Sequence, residues 1–568
     1  MHSKTTRRTF VKGLAAGGLL GGLGLWRSPV WALTSPGQPT VLAGSEFDLF
    51  IDQSPVNLTG RQRTALTING SLPGPLLRWR EGDTVTLRVK NRLAEPTSIH
   101  WHGILLPSNM DGVPGLSFQG IEPGGVFVYQ FKVKQHGTYW YHSHSGFQEQ
   151  QGVYGPLVID PKEPESFSYQ RDYVVMLSDW TDEDPVALMK TLKKQSDYYN
   201  LHKPTVGDFV RDVGKQGWSA TVADRLMWAQ MKMNPTDLAD VSGETYTYLL
   251  NGQPPGRHWT GVFQAGETIR LRFINGSAMS YFDVRIPGLK MTVIAADGQP
   301  VRPVSVDEFR IAVAETFDVL VEPTAAAYTL FAQSMDRSGY ARGTLAREAG
   351  AVAPVPELDP RPWITMNDMG MGGMDHGAMA DMPDMEGMDH SAMSMQAHPD
   401  SEQDNPLVDM QAMNPVPKLD DPGIGLRNNG RHVLTYADLR STFEDPDGRD
   451  PSRTIELHLT GHMEKFAWSF NGVKFSDAEP LQLTYGERVR LVLVNDTMMS
   501  HPIHLHGLWS DLEDENGQFQ VRKHTIDMPP GSRRSYRVTA DALGRWAYHC
   551  HLLYHMEMGM FREVRVHE

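Results

Sequence analysis

Residues 68–91 read INGSLPGPLLRWREGDTVTLRVKN, and the same plan returns as LNGQPPGRHWTGVFQAGETIRLRFIN at 250–275 and as FNGVKFSDAEPLQLTYGERVRLVLVN at 470–495. Each copy has an Asn-Gly turn, then a glycine followed by an acid, then an alternating strand that ends in asparagine. Gly82, Gly266 and Gly486 stand nine residues before Asn91, Asn275 and Asn495. Alternation of apolar and polar residues with a period of two marks a half-buried strand. Copies more than 150 residues apart are duplicated domains rather than solenoid repeats. The pattern predicts three β-sandwich or barrel domains, at 40–160, 165–350 and 425–568.

The composition agrees with this reading. A chain of 568 residues exceeds what one hydrophobic core supports, and 53 glycines with 38 prolines suit many turns between short strands. One stretch, 186–240, departs from the strand pattern. Its apolar spacing is helical in places, and we read it as an insertion in the middle domain.

The first 32 residues place paired Arg7 and Arg8 before Phe10 and a Gly/Ala/Leu run to Leu25. That order predicts a twin-arginine export signal, cleaved after Ala32, and hence a periplasmic protein. The run is too short and too rich in glycine to be a stable membrane anchor. It carries five basic and no acidic residues, so cleavage shifts the formal charge from −15 to −20. An acidic surface argues against nucleic acid as a partner. The single cysteine, Cys550, cannot form an internal disulfide in an oxidising compartment, and metal ligation is one way to protect it.

Counting nine residues on from each closing asparagine lands on His100 of HWHG, on Val284 of FDVRIPG and on His504 of HPIHLHG. A second register places His142 and His549 five residues after Gly137 and Gly544, in GTYWYHSH and GRWAYHCH, whereas AAYTLFAQSM of the middle domain offers Ala332 and Ser334. Four His-x-His pairs result: 100/102, 142/144, 504/506 and 549/551. Residues two apart on a strand share a face, so each pair presents two imidazoles to one place. Eight imidazoles at matched registers of the outer domains point to one polynuclear metal site between them.

Cys550 lies between His549 and His551 and must face the opposite way. It belongs to a second metal, for which His501, Cys550, His555 and Met560 supply the two imidazoles, thiolate and weak thioether of a blue-copper centre. Ser143 occupies the matching position in the first domain, which should lack such a centre. Residues 366–413 form a Met/His-rich linker without the branched and aromatic residues that build a core, holding twelve of the 29 methionines and three histidines. Within it MDHGAM (374–379) repeats as MDHSAM (388–393). Thioethers favour Cu(I), so Met374, His376, Met379, Met388, His390 and Met393 form a candidate copper-capturing loop in a disordered segment.

HWHG, YHSH, HPIHLHG and HCHLLYHMEMGM together resemble, in order and placement, the copper signatures of the multicopper oxidase family. The twin-arginine signal, HGILLPSNMDGVPG, the helical insertion and the Met/His-rich segment are similar to those of its periplasmic copper-resistance members. The resemblance implies an all-β chain of three cupredoxin-like Greek-key domains holding four coppers. His501, Cys550 and His555, with Met560 axial, would hold the type 1 copper, and His100 with His504 the type 2. His102, His142, His144, His506, His549 and His551 would hold the type 3 pair. It also implies one-electron oxidation of a substrate coupled to reduction of O2 to water. Asp111 matches an acidic position that the family uses for proton delivery, although by itself it is a turn residue before Gly112. Where bacterial relatives place an acid before the third histidine of the last motif this chain has Tyr554, with Glu557 a candidate replacement.

Two electron donors compete, Cu(I) and phenols. Met499, two residues before His501, could bring Cu(I) to the blue site, while Met498 reads as a core residue. The Met/His-rich loop favours copper. A copper-sequestering protein is a third alternative. The implied partners are O2, Cu(I) or a phenol, and periplasmic copper chaperones, with the chain a monomer.

Overall fold

In the computed structural model the described residues are 39–371 and 396–568. The expected signal segment, 1–32, lies outside them, as do Met374, His376, Met379, Met388, His390 and Met393.

Each copy of the repeated stretch builds the same piece of a two-sheet sandwich. Asn69, Asn251 and Asn471 adopt φ of 54°, 50° and 51°, the left-handed region that asparagine tolerates. Their side-chain oxygens accept from the backbone N–H of Phe50, Met176 and His458 at 2.8, 2.8 and 2.7 Å. The turn is thereby pinned to the first long strand of its unit.

The strands that follow, Thr84–Asn91, Ile269–Asn275 and Arg488–Asn495, lie inside their sheets. Each is parallel to the opening strand of its unit, Glu46–Val56, Arg171–Thr181 or Arg453–His462. On the other side each runs antiparallel to Val126–Lys132, Thr316–Val321 or Arg533–Thr539. The closing asparagines are fully buried. Asn91 Nδ2 donates to the carbonyls of Glu95 and Ile121 at 2.8 and 2.7 Å. Asn275 does the same to Ser280 and Ile311 at 2.8 and 3.2 Å, and Asn495 to Met499 and Met528 at 2.7 and 2.8 Å. An asparagine recurs here because an amide donates twice from one short side chain.

The second sheet of each unit carries the positions counted from the sequence. In the first unit its order is Val41–Ala43, Leu76–Arg80, Tyr154–Asp160, Gly137–His142, His100–His102. In the third it is Leu481–Thr484, Phe561–His567, Gly544–Cys550, His501–Leu505, Thr525–Met528. The middle unit has Trp259–Val262, Tyr340–Ala346, Ala327–Ser334, Phe282–Arg285 and Glu308–Ile311. A single apolar cluster runs through all three units, so they pack as one body.

The expected insertion holds three helices, Pro185–Lys194, Val206–Gln216 and Trp218–Met231. The first is capped by Asp184, which accepts from Ala187 N, with proline at its start, and buries Leu188, Met189 and Leu192. The second opens with a Thr205/Asp208 capping box. Among the described residues no helix is long and apolar enough to cross a membrane. Both described ends of the Met/His-rich segment pack against the body, with Met369, Met410 and Ala412 buried. Composition alone concealed this, because a few anchoring side chains suffice to hold a polar segment.

Replacing Asn275 by alanine leaves two buried carbonyls without donors. Denaturation of the purified protein should show it destabilised by roughly 2–4 kcal/mol.

Candidate metal centre

Cross-strand register decides which side chains meet. His100 lies opposite His142 in the first unit and His504 opposite His549 in the third. The same crossing in the middle unit pairs Val284 with Ala332, so the residues picked by counting are structural equivalents. The outer units turn these faces toward each other: the ring centroids of His100 and His506 are 3.9 Å apart and those of His102 and His504 are 3.8 Å apart. Of the eight histidines, all are buried except His144, which is partly so.

Hydrogen bonding separates the two nitrogens of most rings. His100 Nδ1 donates to the Asp111 carbonyl at 2.8 Å, His142 Nδ1 to the Ser143 carbonyl at 3.0 Å with Glu149 Oε2 2.7 Å away, and His504 Nδ1 to the His524 carbonyl at 2.6 Å. Their Nε2 atoms are buried without a partner. His506 Nδ1 donates to Asp111 Oδ2 at 2.8 Å and His549 Nδ1 to the Cys550 carbonyl at 2.9 Å. Their Nε2 atoms lie 3.1 Å apart, and that of His144 is 3.3 Å from His549 Nε2. His102 is reversed: its Nε2 meets His524 Nδ1 at 3.2 Å and Thr525 Oγ1 at 3.3 Å, leaving Nδ1 open. Both nitrogens of His551 are open. Outer bonds of this kind fix ring orientation and tautomer in metal sites.

The second centre lies across the strand. His501 Nδ1 and His555 Nδ1 are 3.5 and 3.9 Å from Cys550 Sγ and 3.1 Å from each other. Their outer nitrogens meet Thr497 Oγ1 and Asp240 Oδ2, each at 2.7 Å. Met560 is fully buried, and its backbone bonds both to Cys550 and to His555. Trp468 stacks on the His555 ring at 3.9 Å.

Several contributors escaped the sequence reading. Asp240 comes from the end of the helical insertion, Glu149 follows the YHSH motif, and His524 sits in RKHTID with no spacing that marks it. Glu149 is buried, and burial together with nearby Asp179 raises its carboxyl well above the usual range. Glu557 is exposed, whereas Glu149 stands beside the cluster. Met498 and Met499 are both buried, at 0% and 2% exposure, and Met498 also borders a cleft beside Ser500. Gly103 of HWHG is required because a Cβ there would run into the His524 ring, and Gly112 because at φ 82° a Cβ would strike the Ile99 carbonyl.

These residues fit copper. Open imidazole nitrogens converge in the buried interior, and burial holds His102, His142, His144, His504, His506 and His551 neutral, in ligand form, with His549 pushed down to about 4. Burial raises the Cys550 thiol well above its ordinary value. A thiolate there therefore requires a cation, and two imidazoles with a thiolate and a thioether suit copper.

Because His549 and His524 are held near 4 against an ordinary 6.5, the unfolded copper-free chain binds more protons between those values. Its stability from these groups should be intact above about pH 6.5 and fall as pH drops towards 4. Denaturant midpoints taken at stepped pH should show this fall, and it should be shallower in His549→Gln.

The multicopper oxidase family model matches residues 51–164, 171–350 and 448–568. The chain is 74% identical to copper resistance protein A of Pseudomonas syringae pv. tomato and 69% identical to copper resistance protein A of Escherichia coli, with all of both chains covered in each case. It is similar in structure to Fet3p, a multicopper oxidase that functions in iron import, with TM-score 0.64, 18% identity and coverage of 92% of this chain and 90% of that one. By its matched domains and its full-length relatives, the chain belongs to the multicopper oxidase family and is a copper-dependent oxidoreductase.

Proposed function

We propose that the protein is an exported periplasmic cuprous oxidase serving copper resistance: it oxidises Cu(I) to Cu(II) and passes the electrons to O2, forming water. The observation that carries this reading is the cleft beside Ser500, adjacent to His501. Met335 and Met498 line it together with Glu315, Asp368 and Asp527, whose charge is balanced by Arg310, Lys418, Arg427 and Arg534 on the same walls. Thioethers favour Cu(I) and carboxylates suit the divalent product. Relatives named for copper resistance, and the twin-arginine pattern at Arg7 and Arg8, support the same reading.

In this reading His501, Cys550 and His555, with Met560, hold a type 1 copper. His100 and His504 hold a type 2 copper, and the other six histidines of the cluster hold a type 3 pair. Bound copper supplies the one-electron chemistry and the reduction of O2. The protein supplies placement. Thr497 and Asp240 lock the two imidazoles so that both Nδ1 atoms face Cys550. Cys550 is joined through single peptide bonds to His549 and His551, making the residues of one centre continuous with those of the other. Asp111 and Glu149 are buried carboxyl groups in contact with cluster histidines, positioned to hold the protons that water formation consumes.

Oxygen uptake by the copper-loaded protein should be faster with Cu(I) than with a phenol. Met498→Leu should lower kcat/KM for Cu(I) by about tenfold and leave phenol turnover within about twofold. An equal loss on both donors would turn the reading toward a laccase-like enzyme, and no turnover of either toward copper sequestration. Cys550→Ser should abolish the blue absorption and oxygen uptake together. Glu149→Gln should slow oxygen uptake by at least about tenfold while leaving reduction of the blue centre intact.

A further inference from the structure

Four side chains outside the signature motifs converge where residues 396–413 pack on the third unit. His398 Nδ1 lies 3.2 Å from Glu402 Oε2 and 3.3 Å from Asp496 Oδ2. His458 Nδ1 lies 2.6 Å from the same Asp496 oxygen and 3.7 Å from Glu402 Oε1. The side chains of Asp496 and Glu402 are 0% exposed and that of His458 is 1% exposed, with His398 at 14% on the outer side.

The remaining polar atoms are held from outside. Ala412 N donates to Asp496 Oδ1 at 2.7 Å and Gln411 Nε2 to Glu402 Oε2 at 3.1 Å. His398 Nε2 meets the Ala412 carbonyl at 3.2 Å, and His458 Nε2 meets Glu456 Oε1 at 3.3 Å. Each ring therefore meets oxygen acceptors at both nitrogens, with Nδ1 facing the carboxylates inside. A neutral imidazole donates from only one nitrogen, so the arrangement calls for a positive charge on the Nδ1 side, either a second proton on the ring or a bound cation. Glu402 Oε1 points to the same place, buried and without a hydrogen-bond partner. Around an ion with bonds of about 2.0–2.2 Å, tetrahedral ligand atoms stand about 3.3–3.6 Å apart, close to three of the four separations here.

We propose that His398, His458, Glu402 and Asp496 form a further metal site, for one divalent first-row transition ion. Two imidazole nitrogens and two carboxylate oxygens, with no sulfur, select a divalent ion over Cu(I), and the Irving–Williams order ranks Cu(II) above Zn(II). Thr497, the neighbour of Asp496, touches the blue-site ligand His501, so the ion lies one residue from the wall of that centre. The site stands whether or not Cu(I) is the electron donor.

The test titrates the copper-loaded, full-length protein with Zn(II), counting bound zinc by mass spectrometry after equilibrium dialysis. His398→Ala and Glu402→Gln are compared with the unaltered chain. The Met/His repeats are common to all three, so their contribution cancels, and unchanged blue absorption reports an intact fold. The unaltered chain should hold one more zinc than either variant, or hold it at least about tenfold more tightly, with Cu(II) displacing it. X-ray absorption at the zinc edge of the unaltered chain should show nitrogen and oxygen neighbours including imidazole. Equal zinc binding by all three chains, or sulfur in the zinc shell, would overturn the proposal in favour of a purely ionic cluster of protonated histidines.

Discussion

In an extended strand neighbouring side chains point to opposite faces, and the rest of this structure depends on that constraint at residues 549–551. His549 and His551 turn to the eight-histidine cluster while Cys550, opposite Ile503, turns to His501 and His555. Two centres of different character thus share one strand. That strand must lie inside its sheet, between His501–Leu505 and Phe561–His567, because both of its faces are in use. The arrangement is unfavourable by itself: each buried imidazole nitrogen without a partner costs on the order of 1–3 kcal/mol. Copper-binding energy offsets that cost, and stability and cofactor retention are linked for this reason.

The middle unit explains why a domain without expected ligands is indispensable. Its strand crossing carries Val284 and Ala332 where the others carry histidines, yet it sends carboxylates outward to its neighbours. Asp240 grips His555, Asp297 accepts from the backbone of His524 and Thr525, and Asp179 stands near Glu149. The unit thus acts as a scaffold that sets ring angles and local charge at sites built by others.

What could be read from the sequence was whatever local periodicity controls. The Asn-Gly turns, the closing asparagines and the His-x-His pairs are short-range patterns, and a strand converts them directly into faces. The insertion was legible as helical because Leu188 and Leu192 recur at the spacing of one turn. Asp240, Glu149 and His524 were not legible, since their roles arise from contacts across hundreds of residues, such as the 315 that separate Asp240 from His555. His398 looked like part of a polar linker until its partners came from the third unit, His458 from a strand and Asp496 from the turn just after another.

The span of the ligand set has a consequence for the chain during synthesis. His144 and His549 meet although 405 residues separate them, and His102 and His524 although 422 do. The first unit can fold early and will then present its four histidines half-assembled, to solvent rather than to the partner face. Neither centre can exist until the last few dozen residues have docked, because Cys550, His551 and His555 arrive near the end. Both centres are therefore properties of the finished polypeptide, and a chain truncated before Cys550, however well its early domains fold, lacks residues of each.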